Sequence, residues 1–132
     1  MMNYTTGIDT LSLQIDFTNN NQQQEVMYNI INALLSSYNL QIRYNTNRFK
    51  KGLLIHSVYT AGKKILELKS GSYSKRFNKE SKGLIIYYIT IEFAGLKRYN
   101  NKIDDISGKC LKRVVAYLNT NSIRFDISAL DI

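Results

Sequence analysis

The chain of 132 residues reads as an α+β domain, a mainly antiparallel sheet with two amphipathic helices packed on one face, in the order β-α-β-β-β-β-α-β. Three observations predict it. Segments of two-residue alternation occur near both ends and through the middle. Two stretches with three- and four-residue apolar spacing separate them. A short turn signal at Ala61-Gly62 joins two neighbouring strands of the middle. A chain of this length buries a proper core within one domain. No repeat or linker divides it, so residues 1–132 are read as a single domain. The last strand runs to the end without a closing turn, as expected of the front part of a longer protein.

The elements follow in order. In TLSLQIDF, residues 10–17, Leu11, Leu13, Ile15 and Phe17 share one face of a half-buried strand. Thr18–Asn21 offers helix caps. Val26, Met27, Ile30, Ile31, Leu34, Leu35 and Tyr38 then recur at helical steps, and Glu25 is the single charge there, so this helix is a packing element. Gln41–Asn45 is a short strand. Leu53–Thr60 and Lys63–Ser70 form a hairpin around Ala61-Gly62. Residues 71–83, GSYSKRFNKESKG, read as a long polar basic loop. LIIYYITIEF follows, with Ile85, Tyr87, Ile89, Ile91 and Phe93 on one face and Leu84, Ile86, Tyr88, Thr90 and Glu92 on the other. Helical spacing returns through Ile106, Cys110, Leu111, Val114, Val115 and Leu118, with Asp104 and Asp105 in the first turn. Asn119-Thr120-Asn121 ends that helix, and SIRFDISALDI closes the chain as a strand.

Charge sets the functional reading. The formal charge is +8, and all eighteen Lys and Arg fall at or after Arg43. Residues 1–42 carry −3, residues 43–113 carry +12 and the last nineteen −1. Segregated basicity points to a face rather than to general solubility. Cys110 is the single cysteine, so no disulfide closes within the chain. No signal peptide or apolar span is recognisable, and a cytoplasmic location is expected.

Residues 63–99 interleave cations with aromatics. Lys63, Lys64 and Lys69 come first, then Lys75, Arg76, Lys79 and Lys82, then Lys97 and Arg98. Tyr73 and Phe77 lie in their midst, with Tyr87, Tyr88 and Tyr99 near by. Single-stranded nucleic acid wants this pairing, because cations follow phosphates while aromatic faces stack unpaired bases.

Carboxylates supply a second constellation. If the first and last strands pair, Asp16 and Asp126 share the polar face with Gln14, and Glu92 has the same register on its own strand. Such a set is the raw material of a Mg²⁺ or Mn²⁺ site. The alternative is ordinary polar-face residues paired with Arg124 and the lysines. A third element, Glu67-Leu68-Lys69, fits the E-x-K spacing of some nucleases, without a recognisable upstream partner. His56 is the only histidine, which rules out a two-histidine metal site within the chain. Cys110 lies on an apolar stripe and is expected in the core.

Ile8-Asp9-Thr10-Leu11, then Ile91-Glu92-Phe93-Ala94-Gly95, a helix, and Ile123-Arg124-Phe125-Asp126-Ile127 follow an order that resembles the N-terminal domain of plasmid and filamentous-phage rolling-circle replication initiators. The resemblance implies a domain that binds origin or single-stranded DNA, in a family of metal-dependent transesterases whose tyrosine attacks the DNA backbone. It matches Asp126 to the acidic residue and Arg124 to the basic residue of an R-x-D element. Asp131 lies five residues after Asp126 where the family has four, which turns it to the opposite face unless a bulge intervenes. None of the ten tyrosines stands in a nucleophilic context, so the expectation is DNA binding, on a single strand or an origin hairpin, without nicking by this chain alone. A homodimer is compatible with this reading and no membrane partner is expected. The alternative is a small non-enzymatic phage or plasmid module that binds RNA or an acidic protein.

Overall fold

The computed structural model describes residues 10–46, 53–75, 83–94 and 102–131. Its elements are β1 (Thr10–Phe17), α1 (Asn20–Ser37), β2 (Gln41–Thr46), β3 (Leu54–Thr60), β4 (Lys63–Lys75), β5 (Leu84–Phe93), α2 (Lys102–Thr120) and β6 (Asp126–Asp131). This is the α+β order that the patterning predicts. The six strands form one sheet, β2-β3-β4-β5-β1-β6, and every neighbouring pair is antiparallel.

The period-two alternation divides the sheet into a covered and an open face. Leu13, Ile15, Ile89, Ile91, Phe93, Leu66 and Leu68 line the covered face and are essentially inaccessible. Against them α1 lays Val26, Met27, Ile30 and Leu34, and α2 lays Cys110, Val114 and Leu118, so both helices share one core. Asn29 on α1 donates to the Tyr117 hydroxyl on α2 at 3.1 Å, fixing one helix against the other. Burial pushes the Cys110 thiol up to about 11, so it stays protonated and unreactive, as expected of a core residue.

Local chemistry sets the ends of the elements. The Asn19 side chain accepts from the Asn21 and Gln22 amides and caps α1. Ala61 and Gly62 both have positive φ, 50° and 78°, the geometry of a type I′ hairpin turn. At the end of α2 the Ile123 amide bonds the Leu118 carbonyl and the Ser122 amide bonds that of Asn119. Ser122 sits at φ 56°. This is a Schellman stop with serine in the position that glycine usually fills.

Two polar side chains tie the helices to the sheet. The Gln23 amide nitrogen donates to the carbonyls of Gly71 and Tyr88 at 2.9 and 2.8 Å. The Ser107 hydroxyl donates to the Ala94 carbonyl at the opposite end, with the Ile65 carbonyl 3.3 Å away. Both residues are buried, and backbone partners satisfy them.

Two segments differ from the sequence reading. Gly71–Lys75 is not loop: it continues β4 and pairs with Leu84–Tyr88 of β5. The ribbon reaches past β3, whose pairing ends at Ser70, and past β1, whose pairing ends at Tyr87. Ser72, Tyr73 and Ser74 are exposed there, and the alternation that marks a half-buried strand is missing. The second difference lies near the C-terminus, where 123–125 precede the strand and β6 begins at Asp126. Ile123 and Phe125 pack on the core instead.

Candidate functional site

Neither described helix covers the open face of the sheet, and its chemistry changes from one side to the other. On the β2–β4 side, Arg43 pairs with Ser57, which pairs with Glu67. A bulge between Val58 and Tyr59 places Lys64 opposite Tyr59, keeping Lys64, Glu67 and Lys69 on one side of the strand. The Arg43 guanidinium stands 4.6 Å from the Tyr59 ring centroid, a cation–π contact. Lys64 Nζ lies 3.1 Å from Glu67 Oε2, and Lys69 Nζ 4.0 Å from Oε1. The hydrogen bond from Lys64 to Glu67 raises the lysine above its ordinary pKa. Glu67 is largely buried between them, its side chain 17% exposed, while Lys64 and Lys69 remain more open.

The middle of the face is aromatic. Tyr73 and Tyr88, on β4 and β5, have ring centroids 6.0 Å apart in a tilted arrangement. The Tyr73 phenol is held above its usual pKa by desolvation, then by the charge of Asp16 and a hydrogen bond to that carboxylate. Tyr73 remains 39% exposed, so much of its surface stays available.

The β5–β1–β6 side is acidic. Gln14 Nε2 donates to Asp16 Oδ1 at 2.9 Å, and Gln14 is the ladder partner of Asp126. That register sets Asp16 and Asp126 on a diagonal, about 7–8 Å apart. Glu92 is the partner of Ser12, four residues and about 13 Å along the strand from Asp16. The three carboxylates therefore do not converge, and among the described residues no three of His, Cys, Asp and Glu come together as a metal cage. Glu92 stands directly opposite Glu67 across β4 and β5 instead, a pairing hidden in the sequence because the two residues are 25 positions apart. A bulge at Ser12/Leu13 carries Asp131 to the partner position of Thr10, which has the same parity as Gln14. The extra residue between Asp126 and Asp131 is absorbed there.

Of the cations expected to bind nucleic acid, Lys64 and Lys69 lie on this face, and Lys63 lies at the start of β4. Lys75 closes β4, paired with Leu84. Arg76, Phe77, Lys79, Lys82, Lys97, Arg98 and Tyr99 fall outside the described residues. Tyr87 is half-buried on the helix side, a packing residue. Arg43 and Tyr59 belong to the site although neither was singled out in the sequence; the β2–β3 register brings them in. No described helix is long and apolar enough to cross a membrane. Compared with protein-family models and with curated proteins, the chain matches none.

Proposed function

We propose that this chain is a DNA-binding domain that holds single-stranded DNA, or the unpaired part of an origin hairpin, across the open face of its sheet. The observation that carries the reading is the pair of tilted tyrosines, Tyr73 and Tyr88, flanked on the β2–β4 side by Arg43, Lys64 and Lys69. Aromatic faces stack bases at about 1–3 kcal/mol each, and cations beside them follow the phosphates. The acidic half of the same face repels a backbone and so gives the strand a lane over β2–β4. The resemblance to rolling-circle initiators supports the same class of ligand.

The proposal does not include strand cleavage. A metal-dependent nuclease is the second reading, favoured by Glu92 standing opposite the Glu67-Leu68-Lys69 element. In that reading the paired carboxylates are the metal ligands, and Glu67→Ala abolishes cleavage while leaving binding intact.

Fluorescence anisotropy with labelled single-stranded DNA, duplex DNA and RNA, across a salt series with and without Mn²⁺, tests the proposal. Single-strand preference with a steep log–log salt slope is the expected result. Equal indifference to all three at low salt would overturn it and leave the basic half-face as a dock for an acidic protein.

A further inference from the structure

On the covered face, the inward positions of β4 run Leu66, Leu68, Ser70 and Ser72, as their ladder partners Phe93, Ile91, Ile89 and Tyr87 show. Two leucines fill the space beneath the helices. The two serines do not. Between them and the outer flank of α1 the structure holds a cavity of about 520 Å³, within the roughly 300–1,000 Å³ usual for small-ligand sites.

Met27 and Ile31 of α1 face Leu54 and Tyr87 of the sheet across this space. Tyr28 stands at its rim, 66% exposed. Gln24, the serines and His56 supply polar groups, and no charged side chain lines it among the described residues. His56 Nδ1 is buried without a hydrogen-bond partner, while its ring meets Tyr44 edge-on at 4.9 Å. A buried nitrogen with no partner is costly, and a ligand's polar edge would relieve it.

We propose that this cavity takes an uncharged planar heterocycle, the base of a nucleotide, with its flat face against Tyr28 and its polar edge toward His56 and the serines. A charge-free lining in so basic a chain disfavours a free anion, and the apolar walls favour a flat aromatic body. The proposal rests on the nucleic-acid reading, which it deepens. Ser72 lines the cavity while its neighbour Tyr73 lies on the open face. Among the described residues β3 pairs with β4 as far as Ser70, so a strand lying on the tyrosines can turn one base around this edge of the sheet.

His56 is the only histidine, so its ring resonances report the cavity without ambiguity in NMR spectra of the whole chain. Adenosine, guanosine, cytidine and thymidine are titrated separately, and then an oligonucleotide with and without a single abasic position. At least one nucleoside is expected to shift the His56 ring signals saturably. Tyr28→Ala, an exposed change, should weaken that binding about tenfold through lost stacking, and Ser70→Leu should abolish it by filling the space. If Ser70→Leu does not fold, the Tyr28 variant carries the test. In the oligonucleotide, the His56 shift should vanish when the abasic position meets the site. Nucleosides that all leave His56 unmoved, together with a bound oligonucleotide that also leaves it unmoved, overturn the cavity proposal while strand binding stands. A nucleoside that moves His56 where no oligonucleotide binds supports the cavity and overturns the strand reading.

Discussion

Gly71 lies beneath the phenol of Tyr88: a methyl group added at Gly71 would stand 2.8 Å from the Tyr88 hydroxyl oxygen and 3.1 Å from the ring carbon that bears it. The two residues are ladder partners, and Gln23 binds both their carbonyls from the helix side. Glycine at this point in β4 lets the ring lie flat across the strand, beside Tyr73. Gly71→Ala is therefore expected to lift the Tyr88 ring, lower stability by about 1–3 kcal/mol through overpacking and weaken single-strand binding several-fold. Thermal melting and anisotropy on the same sample check both parts.

Gln23→Leu keeps the bulk of the side chain and removes both of its donors. The carbonyls of Gly71 and Tyr88 then lose a buried partner, at a cost of about 1–3 kcal/mol. Urea denaturation measures it, and an unchanged midpoint would mean that water replaces the amide.

The two halves of the open face should respond oppositely to neutralisation. Lys64→Ala or Lys69→Ala should each reduce the log–log salt slope of DNA binding by about 1. Asp126→Ala should leave affinity unchanged or raise it. A strand that instead lies over β1 and β6 would reverse this pattern.

Burial lowers the pKa of His56 below 6.5. In the unfolded chain the imidazole binds a proton more readily than in the fold. Stability should therefore fall as pH drops through 6.5 toward the folded-state value and level off below it. Melting curves between pH 8 and 5, compared with those of His56→Gln, should show a component of this pH dependence that the variant lacks.

Ser122 and Ala61 hold left-handed backbone that glycine or asparagine adopts more easily. Ser122→Gly and Ala61→Asn should each stabilise the fold by about 0.5–1 kcal/mol. Their effects should add, since they sit in separate turns.

What the sequence determined by itself is the local order of the domain. Alternation at Leu11–Phe17 and Ile85–Phe93 and helical spacing at Val26–Leu34 are properties of neighbouring residues, so they specify each element and its buried face before any element meets another. Leu35 shows the limit: it continues the apolar stripe of α1 yet is 43% exposed, because the stripe is wider than the surface it covers. The tertiary structure alone decided the site. Whether Glu92 meets Asp16 or Glu67 depends on which strands pair and in what register, and the β1–β5 and β4–β5 ladders that set it join segments distant in sequence. Gly71–Lys75 read as loop because a glycine and the exposed Ser72, Tyr73 and Ser74 carry no hydrophobic period to detect. The cavity at Ser70 and Ser72 arises where small side chains on β4 come to lie under α1, a meeting of segments that no local pattern records.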